Sequence, residues 1–121
     1  MGIISNIAAG IVAALHLGFL ALEMFLWTRP FGLRTFGLTP EFARESASLA
    51  ANQGLYNGFL AAGLIWGIAL GPAGFGVKVF FLACVIVAGV FGAFTAKRSI
   101  LFVQALPGLL ALILVLLAGA A

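Results

Sequence analysis

The chain has 121 residues, 64% hydrophobic and 7% charged, with a mean hydropathy of +1.28. This excludes an ordinary soluble domain, where charged residues run near a quarter of the chain, and points to the bilayer. The net charge of +3 comes from six Lys and Arg against three acids; these few basic residues stand beside apolar segments as topology signals, too scattered for a phosphate footprint, so no nucleic-acid partner is expected.

A spanning helix needs roughly 20 apolar residues, and after connections the chain has room for about four. The expected fold is therefore all-α, a single four-transmembrane-helix bundle over residues 1–121 with helices at about 3–27, 50–70, 77–95 and 101–118. The N-terminus, Met1-Gly2-Ile3-Ile4, lacks the basic n-region of a secretory signal, so the first segment reads as a retained helix. It carries His16 and Glu23 seven positions apart. That spacing puts them on one face, ~10 Å apart, with Leu20 and Trp27 completing the stripe. Thr28-Arg29-Pro30 is expected to end the helix at the membrane interface.

The next stretch opens as a loop from Phe31. Thr39-Pro40-Glu41-Phe42 then reads as a helix start, with Thr39 as N-cap, Pro40 in the first turn and Glu41 near the positive dipole end. A short interfacial helix is expected from Pro40 to about Leu49, close enough to the second segment to run into it. That second segment opens on the densest run of uncharged polar side chains in the molecule, Asn52-Gln53-Gly54-Leu55-Tyr56-Asn57-Gly58. Asn52 and Tyr56 are i,i+4, as are Gln53 and Asn57, so the four cover one wide face. Gly54 and Gly58 form a small-xxx-small pair for close helix packing, expected on the opposite face. Gly71-Pro72-Ala73-Gly74-Phe75-Gly76 reads as a tight turn.

The third segment ends at Thr95, before Lys97-Arg98; the fourth carries Gln104 and then Pro107, which should kink it or free a carbonyl. Cys84, the single cysteine, excludes an intramolecular disulfide and reads as a small buried hydrophobe. One His, one Cys and three acids give no set with the spacing of a structural zinc site, so neither a metal nor another cofactor is expected.

Five basic residues, Arg29, Arg34, Arg44, Lys97 and Arg98, fall in the first and third connections, against Lys78 alone in the second. The bias puts those connections in the cytoplasm of a bacterial inner (plasma) membrane protein with both termini outside. It also gathers Glu23, Asn52, Gln53, Tyr56, Asn57, Thr95 and Gln104 in the cytoplasmic leaflet, with His16 near the midplane. Polar side chains at that depth are expensive unless partners meet them, so this one-sidedness reads as a pocket.

His16 with Glu23, the Glu-Met-Phe-Leu-Trp stretch at 23–27, the Asn-Gln-Gly-Leu-Tyr-Asn-Gly-Phe-Leu-Ala block at 52–61, Gly-Val-Phe-Gly-Ala-Phe-Thr at 89–95, and Gln104 followed by Pro107 carry a resemblance. Over nearly its whole length the chain resembles a family of small four-helix bacterial and fungal membrane proteins catalogued as a domain of unknown function. The resemblance implies a four-helix integral membrane fold and the same polar positions, and it supplies no reaction.

Three functions fit these residues. The first is acid/base chemistry on, or binding of, a small lipophilic molecule. Glu23, His16 and Tyr56 would be the catalytic groups, and Asn52, Gln53, Asn57, Gln104 and Trp27 the ligand-binding ones. The second is a small proton-coupled transporter or efflux subunit, which at this length would need a homo-oligomer to form a pathway. The third is a non-catalytic protein that binds membrane lipid or a partner, where the polar cluster fixes helix register.

Overall fold

The computed structural model describes residues 2–119, which are all-α with no strand. Helix α1 spans Gly2–Met24, α2 Pro30–Phe36, α3 Pro40–Ala69, α4 Phe75–Thr95 and α5 Leu106–Ala118. A 3-10 turn, Gly71–Gly74, joins α3 to α4, and a π-helical stretch, Leu101–Ala105, leads into α5. Among the described residues, three stretches are long and apolar enough to cross a membrane: Gly2–Met24, Gly71–Thr95 and Leu101–Ala118. α3 is the longest helix, at 30 residues, but is not among them. Glu41, Arg44 and Glu45 charge its first turns, and Asn52, Gln53 and Asn57 dilute its apolar half. Length and hydropathy thus single out three spans where four were expected.

The first connection departs from expectation in two ways. α1 ends at Met24 rather than Trp27, because Phe25 and Leu26 both donate to the Ala21 carbonyl, at 3.0 and 3.1 Å, and close the helix in a wide last turn. Pro30 then starts a helix instead of ending one. It opens α2, where a missing N–H is no loss, and Gly37 closes α2 in the left-handed conformation at φ 65°. The short helix of this connection is therefore α2, and the expected interfacial segment from Pro40 is the beginning of α3. Thr39 caps α3 as its sequence context suggests: the Phe42 N–H donates to Thr39 Oγ1 at 3.1 Å.

The chain forms two units, one of residues up to Ala14 with those from Leu60 onward, the other Leu15–Phe59. The core of the first takes residues from four helices: Val12 and Ala13 of α1, Ala61 and Leu64 of α3, Leu82 and Val85 of α4, Ala111 and Val115 of α5. Close packing of these side chains holds the core. Glycines supply that closeness. Gly63 leaves the space that the Phe81 ring occupies, and Gly74 brings its backbone against the carbonyl of Gly67. Gly89 sets α4 against the backbone of the π stretch: a Cβ there would lie 2.6 Å from the Ala105 nitrogen. Pro107 sits in the first turn of α5, and the π stretch before it takes up the break in hydrogen bonding that proline forces.

Candidate functional site

In the second unit, the C-terminal turns of α1 lie against the middle of α3. The contact is set by what α3 lacks. A Cβ on Gly54 would be 2.6 Å from Met24 Cγ and 3.2 Å from both Glu23 Cβ and the Leu20 carbonyl oxygen; one on Gly58 would be 2.7 Å from Leu20 Cδ1. Ala43, Ala50 and Gly54, all buried, continue this small-residue face. The glycines therefore face α1, on the side of Glu23, and are not on a face turned away from the acid.

With the backbones this close, Asn57 reaches Glu23. Its Nδ2 donates to Glu23 Oε1 at 2.5 Å, between residues 34 positions apart. A carboxylate only accepts, so the bond fixes which end of the Asn57 amide faces it. Both side chains are half-buried.

The remaining expected site residues are distributed differently. Asn52, Gln53 and Tyr56 are exposed, on the side of α3 away from the glycine face. Tyr56 lies 6.2 Å, ring to ring, from Phe59. His16 is fully buried and meets the Phe19 ring edge-on at 5.2 Å. Trp27, beyond the end of α1, donates its indole N–H to Ser46 Oγ at 3.0 Å and packs on the Phe36 ring at 4.9 Å. Gln104 is half-buried on the π stretch and belongs to the other unit. The structure thus joins Glu23 directly to Asn57. Ser46 was not singled out in the sequence. Its spacing of six from Pro40 and seven from Thr39 gives no signal for an indole partner.

Chemically, the pair is a carboxyl held by one amide, able to accept a further hydrogen bond or to exchange a proton with a polar group brought beside it. Open clefts along α4 and α5 offer a contrasting surface. One is lined by Ile86, Val90, Leu101, Phe102, Ala105, Leu106 and Leu109, another by Phe80, Ala83, Cys84, Val87, Ala88 and Phe91, hydrocarbon throughout except for one thiol.

A second polar contact escaped the sequence reading altogether. Lys78 is 5% exposed, and its Nζ donates to Asn6 Oδ1 at 2.8 Å. The signal that could have found it is the lysine itself, placed inside an apolar segment, where an ionisable group calls for a named partner.

Comparison with known proteins bears on the whole chain. No solved structure matches it. It is similar to "Uncharacterized protein YpaA" of Lactococcus lactis subsp. lactis (strain IL1403), at 30% identity over 115 residues, covering 93% of this chain and 97% of the relative. The model of the family described as "Protein of unknown function (DUF1304)" matches residues 10–116, a span that includes Glu23, Asn57 and Lys78, and the chain is a member of that family.

Proposed function

We propose that this protein is a multi-pass membrane protein, with α3 as a fourth span, that binds a small lipophilic molecule by its polar group at the Glu23–Asn57 pair. The observation that carries the reading is the hydrogen bond from Asn57 to a carboxyl in the last turn of an apolar helix. An ionisable side chain inside a span is costly and is kept where it faces a partner or a ligand. In this reading Glu23 exchanges the proton and Asn57 holds the carboxyl in place. Exposed Tyr56, Asn52 and Gln53 meet the approaching ligand, while Trp27 and His16, in the same unit, shape the surroundings. The basic residues of the first and third connections support placing this end of the molecule in the cytoplasmic leaflet.

The test is retention of ligand. The wild type, Glu23→Gln and Asn57→Leu would be purified into nanodiscs from the same cells and their co-purifying lipophilic molecules compared by mass spectrometry. The expected result is a species enriched in the wild type and lost from both variants; equal retention in all three would sink the proposal.

The directness of the same bond, beside the close packing at Gly54, favours a second reading in which the pair only clamps α1 to α3. Glu23→Gln separates the two. It keeps an oxygen for Asn57 to donate to but loses the carboxyl, so a pure clamp would leave the cellular phenotype and helix packing unchanged.

A further inference from the structure

The face of α3 opposite its glycines carries Leu49, Asn52, Gln53, Tyr56 and Phe59, all exposed, with Leu49 at 71%, Tyr56 at 54% and Phe59 at 56%. Their spacing of three and four is that of a single stripe along a helix. The stripe has an apolar residue at each end and two amides and a phenol between. All three polar side chains are exposed among the described residues.

Depth makes this a difficulty for a lone copy. Gly71–Thr95 is an apolar span, so the turn at its start lies at a face of the bilayer and α3 descends from that turn. At 1.5 Å per residue, Tyr56 lies about 20 Å and Asn52 about 26 Å from Ala69. The hydrocarbon layer is about 30 Å thick, so both fall inside it. Amides facing acyl chains have no water to bond, and such groups are met by protein instead.

We infer that this stripe is the seat of a second copy of the chain, packed α3 against α3 about a two-fold axis. The chemistry fits a copy of itself. Each amide carries both donors and an acceptor, so Asn52 and Gln53 can satisfy the same residues of a partner. A two-fold contact brings one patch against itself, matching polar centre with polar centre and Leu49 with Phe59 at the ends. Lipid tails offer neither donor nor acceptor. The inference rests on α3 being a span, as proposed above, and is independent of any ligand at Glu23.

The experiment is cysteine cross-linking in native membranes. In a Cys84→Ser background, Asn52→Cys, Gln53→Cys and Tyr56→Cys would each be oxidised with copper phenanthroline, with Val87→Cys, 68% exposed on α4, as the control. The expected result is a disulfide-linked dimer at one or more stripe positions and none at 87. Adding Asn52→Leu and Gln53→Leu to Tyr56→Cys should lower its dimer fraction severalfold. A water-soluble maleimide, applied with both membrane faces open, separates the ways of failing. Stripe cysteines that label as readily as Arg34→Cys would show that α3 is not in the membrane there, overturning the span and the dimer together. Protected cysteines that form no dimer, form it equally at 87, or link to a protein of another size would overturn the dimer alone.

Discussion

Lys78 Nζ donates to Asn6 Oδ1 at 2.8 Å, fastening the first turn of α4 to the second turn of α1 across 72 positions of sequence. The lysine nitrogen is met by an amide oxygen of the same unit. Gly67 makes the arrangement possible: a Cβ there would be 2.7 Å from Lys78 Cγ. With the Lys78 side chain folded inward, the exposed basic residues are Arg29, Arg34, Arg44, Lys97 and Arg98, so the charge bias between connections is sharper than the raw count.

Removing one partner of a buried charged hydrogen bond costs more than losing the bond itself, because the other is left dry. Asn6→Leu should therefore destabilise the protein by about 1–3 kcal/mol, while Lys78→Met, which removes the charge and keeps the hydrocarbon stem, should cost less. Adding Asn6→Leu to Lys78→Met should cost little more. The check is a double-mutant cycle on unfolding in detergent, and two additive single effects would contradict it.

At Gly54 the expected outcome is steric. An added Cβ meets the movable Met24 side chain but also the Leu20 carbonyl oxygen, 3.2 Å away, which belongs to the α1 backbone. Gly54→Ala should cost about 1–3 kcal/mol, and Gly54→Leu should part the two helices and break the Asn57–Glu23 bond. In a Trp66→Phe background the emission of Trp27, bonded to Ser46 of α3, reports the separation. Unchanged emission and midpoint in Gly54→Leu would show that α1 and α3 do not pack through this glycine.

The start of α3 offers a local test. Thr39 Oγ1 accepts from the Phe42 N–H at 3.1 Å and satisfies one of the donors that a helix leaves open at its first turn. Thr39→Ala should cost about 1 kcal/mol and Thr39→Ser close to nothing. Hydrogen exchange at the Phe42 amide is the direct readout, and it should speed up in the first variant alone.

Local chemistry was readable in the sequence where one residue settles it. Thr39 with Pro40 marks the start of α3, and the glycine- and proline-rich stretch at 71 marks the turn before α4. Long apolar runs marked the three stretches that are long and apolar enough to cross a membrane. Pro30 misled because proline both ends helices and begins them, and only the capping at Met24 and Gly37 decides which. The polar run of α3 was visible at once, yet its direction was not. Asn and Gln can face a ligand, another helix or a second copy, while glycines follow the nearest backbone. The partner helix therefore determines that Gly54 faces Glu23 and that Asn52 does not. The pairing of Lys78 with Asn6 depends on two helices meeting across 72 positions, which no local pattern encodes.

Two glycines of the first unit should respond to the same substitution in opposite directions. Gly10, inside α1, has open space where a Cβ would go, with no described atom beyond its chain neighbours and its own helix backbone within 4 Å. Gly10→Ala only removes backbone freedom from the unfolded chain and should stabilise by about 0.4–1 kcal/mol. At Gly89 the Cβ would lie 2.6 Å from the Ala105 nitrogen and 2.8 Å from its Cα. That obstacle is backbone, inside the π stretch, and cannot turn aside as a side chain would. Gly89→Ala should therefore push α4 off the Leu101–Ala105 segment and destabilise by about 1–3 kcal/mol. Thermal unfolding in one detergent, with the two variants side by side, reads the sign directly. A midpoint for Gly89→Ala at or above that of the wild type would mean that α4 does not lie against the π stretch as closely as Gly89 allows.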